Sequence, residues 1–85
     1  MPKIYLHTTF YNEKNINRRS ELEEAIHINS NLSAISKIIV FNEGDSVAHL
    51  APGKIEEVFI GKRPTYHDFI NYINANSNTD DIHII

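Results

Sequence analysis

The chain has 85 residues, 41% hydrophobic and 22% charged, which allows one domain spanning residues 1–85 and argues against disorder. A net charge of -3 argues against a nucleic-acid partner, and the absence of cysteine excludes disulfides and thiolate metal sites. No apolar run reaches the ~20 residues that span a bilayer, and no signal peptide is legible after Lys3, so a cytoplasmic domain is expected.

The first predicted strand is Lys3 to Phe10. Ile4 and Leu6 share one face, and Tyr5 and His7 share the other. Both faces are fairly apolar, as in a strand covered on two sides. Tyr11 to Asn15 is a polar loop. A helix should then begin near Asn17 or Ser20; Ser20 with Glu23 fits a capping box, and Asn17 serves equally as N-cap. Leu22, Ala25, Ile26 and Asn29 step around one face at helical spacing, and Leu32 extends it.

Lys37 to Asn42 is the second strand, with Ile38, Ile39, Val40 and Phe41 suited to burial on both faces. Glu43-Gly44-Asp45 is a turn. Val47 to Leu50 reads as a short strand or a helical turn, and Ala51-Pro52-Gly53 interrupts the chain again. The third strand is Ile55 to Ile60. The second helix follows Pro64, with Thr65 as N-cap, Asp68 in the reciprocal position, and Tyr66, Phe69, Ile70 and Ile73 as a core stripe. The polar run Ala75 to Thr79 ends it. Ile82 to Ile85 is a fourth strand, preceded by the loop residues Asp80 and Asp81.

The order β-α-β-β-α-β predicts an α/β fold of three layers, α/β/α. Its sheet has about four mostly parallel strands and two main helices, in a Rossmann-like arrangement. The stretch 44–53 is short for a parallel crossover, so an antiparallel hairpin there stays open. Because it closes on an apolar strand, the chain is expected to be the front part of a larger α/β domain.

In open α/β sheets, ligands bind beyond the carboxyl ends of the strands. That edge collects Thr8, Thr9 and Tyr11 from the first strand, and Asn42, Glu43 and Asp45 from the second. The third delivers Lys62 and Arg63 beside a helix N-terminus. Hydroxyls and an aromatic can hold a base; an acid or amide can bind ribose; adjacent cations attract phosphate. Each also has a plainer reading: strand-end threonines, a solvated acidic turn, a solubilising basic pair. Arg18 and Arg19 read as solvated helix-start residues. His7, His27, His49, His67 and His83 show no metal-ligand spacing, and no P-loop, G-x-G-x-x-G or G-x-S-x-G is present.

The opening Ile4 to Tyr11, the segment Arg19 to Glu24, the strand Lys37 to Glu43 and above all Gly61-Lys62-Arg63-Pro64-Thr65-Tyr66-His67-Asp68-Phe69 carry a resemblance. Together they resemble the N-terminal half of glycosyltransferase-like proteins with the GT-A, nucleotide-diphospho-sugar transferase fold. The resemblance implies that Thr8, Thr9, Tyr11, Asn42 and Glu43 contact base and ribose, with Arg63 a weaker candidate near phosphate. It implies a nucleotide-sugar ligand, UDP- or another NDP-sugar, and no catalytic residue within this chain. The family's D-x-D carboxylates, which hold Mg²⁺ or Mn²⁺ against the diphosphate, would follow the fourth strand. The metal is therefore expected in a full-length relative and not here, and this chain alone is expected to be inactive. The alternative is a small non-catalytic module that self-associates as a homodimer through its exposed sheet edge.

Overall fold

The computed structural model describes residues 3–76 and 81–85. Part of the predicted polar run, Ser77 to Thr79, and Asp80 of the predicted loop lie outside the described residues. The elements are β1 (Ile4–Phe10), α1 (Ile16–Ser30), β2 (Lys37–Asn42), a single 3-10 turn (Ala48–Leu50), β3 (Ile55–Phe59), α2 (Tyr66–Asn76) and β4 (Ile82–Ile84). The strands form one four-stranded sheet in the order β3-β2-β1-β4, and every pairing is parallel. The antiparallel alternative for residues 44–53 is thereby corrected. The chain crosses from β2 to β3 in parallel using only loops and the 3-10 turn. Val47, 2% exposed, anchors that crossover in the core.

Alternation along the strands divides the core into two layers. On one face Phe10, Ile38 and Val40 meet Ile26 of α1, Ile35 and Val47, with Ile4, Leu6, Leu22 and Ile55 at the margin. On the other, Ile39 and Phe41 meet Phe69 of α2, with Val58, Ile60 and Tyr72 packed alongside. Phe41 and Phe69 stack with ring centroids 4.6 Å apart. The expected three-layer α/β/α arrangement is present. Ile38 and Val40 are fully buried because β2 is flanked by a strand on each side and a layer on each face.

Helix starts differ in how well local chemistry marks them. Thr65 and Asp68 form the expected reciprocal box: the Thr65 N–H and hydroxyl both donate to Asp68 Oδ2, at 2.8 and 3.2 Å. α1 instead begins at Ile16 with Asn15 as N-cap, its Oδ1 accepting from the N–H groups of Asn17 and Arg18. This corrects the Asn17 or Ser20 start. Glu23 is engaged by Arg19 Nε at 3.1 Å, one helical turn away, so Ser20 sits in the helix interior. The stripe on α2 is also rotated from expectation. Phe69 is buried, but Tyr66 and Ile70 are 71% and 44% exposed, and Tyr72 takes their place on the sheet.

Candidate functional site

With strand order β3-β2-β1-β4, the crossovers from β1 to β2 to β3 run in one direction, and β4 lies on the other side of β1. The switch point is therefore at the carboxyl end of β1, between it and β4. Tyr11 follows β1 there. β3 lies two strand spacings away, roughly 10 Å, so Lys62 and Arg63 stand at the far side of this edge.

The β1 and β2 tips are tied into one polar cluster. Glu43 N–H donates to the Phe10 carbonyl at 2.9 Å, and Asp45 N–H donates to Asn12 Oδ1 at 2.9 Å. Tyr11 donates its hydroxyl to Glu13 Oε2 at 2.9 Å. The Asn15 N–H and that hydroxyl together hold the Glu13 carboxyl below its ordinary pKa. Arg19 reaches Asp45 at 3.6 Å and lies 5.7 Å from the centroid of the Phe10 ring. The Arg19 side chain is one-third exposed and spans α1 and the β2 turn, so it is more than the solvated helix-start residue expected. Gly44 is required at this point: a Cβ there would lie 2.8 Å from the Asn12 backbone nitrogen.

The residues expected to bind a nucleotide fall into three situations. Thr8 and Thr9 point to opposite faces of the sheet, Thr8 with Leu6 and Phe10 and Thr9 with Tyr5 and His7, so one ligand pocket can use only one of them. Tyr11 is half-buried and Glu43 is exposed, both at the switch-point edge. Asn42 is 1% exposed and internally committed. Its amide donates to the Asp45 carbonyl and Glu57 Oε2, both at 2.7 Å, and its Oδ1 accepts from Gly44 N–H at 2.6 Å. It shapes the loop that carries Glu43. Arg63 is exposed beside Lys62, whose ammonium lies 3.5 Å from Asp68. Asp68 already satisfies the start of α2, so a phosphate at that terminus would compete with it.

Glu57 is the residue that sequence reasoning missed on this face. Burial raises its pKa, but hydrogen bonds from Ser46, Val47, Asn42 and Ala48 outweigh that and hold the carboxyl below its usual range. One carboxylate thus organises the whole β2–β3 crossover. Its signal was faint: the second of two adjacent glutamates, on the same strand face as Ile55.

A second feature lies on the α2 face, near the amino ends of the strands. A cleft of about 500 Å³ is lined by residues that include Tyr5, His7, Lys37, Glu56, Tyr72 and His83. Within its wall, His7 Nε2 and His83 Nδ1 are 2.8 Å apart. One ring must donate and the other accept, so the pair cannot keep this bond with two protons added. The outer nitrogens, His7 Nδ1 and His83 Nε2, are buried without a hydrogen-bond partner among the described residues. Tyr5 stacks on His83 at 5.2 Å, and Phe69 and Tyr72 present edge-on contacts to His7. Tyr72 donates its hydroxyl to Glu56 Oε2. Burial and that carboxylate push its pKa up to about 12, so it stays a phenol.

Among the described residues no three His, Asp or Glu side chains converge as a metal centre requires. No helix among them is long and apolar enough to cross a membrane. No family model, curated protein or solved structure matches the chain.

Proposed function

We propose that this chain is the nucleotide-binding half of a glycosyltransferase-like domain of the GT-A kind, receiving a nucleoside-diphospho-sugar at the carboxyl ends of β1 and β2. The observation that supports this reading is the all-parallel order β3-β2-β1-β4, which sets a switch point beside Tyr11. In this reading the base lies against Tyr11, and Glu43 accepts from base or ribose. Asn42 fixes the loop that presents Glu43, and Arg63 with Lys62 attracts the diphosphate from the far side of the edge. The chain supplies binding and orientation, and turnover by it alone is not expected.

Titration of the full chain with UDP and UDP-sugars, followed by amide NMR, tests the assignment. Saturable shifts at Thr9, Tyr11 and Glu43, with Tyr72 and His83 unmoved, are the expected result. Still signals at Thr9 and Tyr11 would overturn it.

One observation favours a second reading, self-association through β4. Ile82 and Ile84 on the edge strand β4, and Ile85 just after it, are 47%, 47% and 46% exposed. Such an edge pairs readily with another chain. Light scattering that finds a monomer at every concentration would dismiss this reading.

A further inference from the structure

The cleft under α2 stands apart from the carboxyl edge and is not used by the proposed nucleotide site. Its volume of about 500 Å³ suits a small organic molecule. Its lining combines two kinds of chemistry. Lys3 and Lys37, at the amino ends of β1 and β2, supply positive charge. Tyr5, stacked on His83, and Tyr72 supply aromatic surface. Glu56 also lines it, with one oxygen occupied by Tyr72.

We propose that this cleft binds a small aromatic carboxylate, with the anionic group at Lys3 and Lys37 and the ring against Tyr5 and Tyr72. Two lysines outweigh the single carboxylate in the lining, so the local balance favours an anion although the whole chain is negative. Flat aromatic walls reward a ring over a compact ion such as phosphate.

The histidine pair gives the site a second property. His7 is 3% exposed, and its pair has room for one proton while the inner hydrogen bond is kept. The titratable groups that line the cleft with it are Lys3 just before β1, Tyr5 on β1, Lys37 on β2, Glu56 on β3, Tyr72 on α2 and His83 on β4. Burial and His83 disfavour that proton on His7, and a carboxylate bound in the same cleft favours it. Binding is therefore accompanied by proton uptake at the pair.

The test uses the full chain, labelled for NMR, with benzoate, benzyl alcohol and inorganic phosphate as probes. Benzoate should give saturable shifts at the Tyr5, Lys37 and Tyr72 amides and move the His7 ring signals toward the protonated form. Benzyl alcohol and phosphate should bind about tenfold more weakly or not at all. The Lys3→Ala/Lys37→Ala variant alters the lysines of the cleft and leaves the buried core intact, so it should fold and lose the benzoate response. Equal responses to benzoate and benzyl alcohol would overturn the role of charge, and equal responses to phosphate would overturn the role of the ring. Absence of saturation, or a response that survives in the double variant, would overturn the site. None of these outcomes depends on whether UDP binds near Tyr11.

Discussion

Replacing His7 with Phe should flatten the acid limb of the stability profile. Burial, reinforced by the neighbouring His83, holds the His7 pKa below its ordinary value of 6.5. The unfolded chain therefore takes up a proton near that pH which the folded chain resists. The stability contributed by His7 is complete above about pH 6.5 and is lost as pH falls toward the lower folded value. The slope is bounded at about 1.4 kcal/mol per pH unit for each proton of difference. A second proton on the pair meets a steeper obstacle. With ring centroids 5.1 Å apart, two imidazolium charges repel by about 3 kcal/mol at an effective dielectric constant of ~20, and the 2.8 Å bond is lost as well. Phe keeps an aromatic ring against Phe69 and Tyr72 but binds no proton. Urea unfolding at intervals from about pH 8 to about pH 5, for wild type and His7→Phe, reads the difference in slope. The absolute stability of the variant is immaterial, because only the slope is compared. Parallel profiles for the two proteins would refute the reasoning.

Two further outcomes are expected. Gly44→Ala places a methyl group 2.8 Å from the Asn12 backbone nitrogen and should cost about 1–3 kcal/mol in urea unfolding, with loosened Asn12 and Asp45 amide signals. Glu57→Gln replaces a carboxylate that accepts from Ser46, Val47 and Asn42 with an amide that has one acceptor oxygen, at a cost of about 1–3 kcal/mol for each buried donor left unmade. Because the Glu57 pKa is lowered in the fold, its contribution is present above about pH 4.5 and fades as pH falls through the folded value. The variant should lose that acid dependence, and an unchanged profile would count against the role given to Glu57.

Much of the fold was legible because its signals were strong and local. Ile38 to Phe41 could hardly be anything but a doubly covered strand, and the Thr65–Asp68 box marked the start of α2 to the residue. The start of α1 was misread because two polar residues near Asn15 offered equivalent capping chemistry. The β2–β3 crossover was ambiguous for a different reason. Its parallel course depends on Val47 entering the core and on Glu57 collecting donors from the loop, both of them tertiary facts. The candidate site was legible as an edge but not as an arrangement. Sequence alone could gather Tyr11, Glu43 and Arg63 at the strand tips, while the commitment of Asn42 to Gly44, Asp45 and Glu57 needed coordinates. The His7–His83 pair was out of reach for the same reason, since its members stand 76 positions apart.

That separation also bears on the order in which the molecule assembles. β1 and β2 match six residue pairs, whereas β4 joins β1 through three, across the far longer span of chain. Each doubling of a closed loop adds about 0.6 kcal/mol of entropy cost, so the last strand has the least contact to offset the largest closure. The three strands β1 to β3 can nucleate as a unit, and β4 arrives afterwards, latched by one imidazole on another. During refolding, amide protection should reach Ile84 later than Val40.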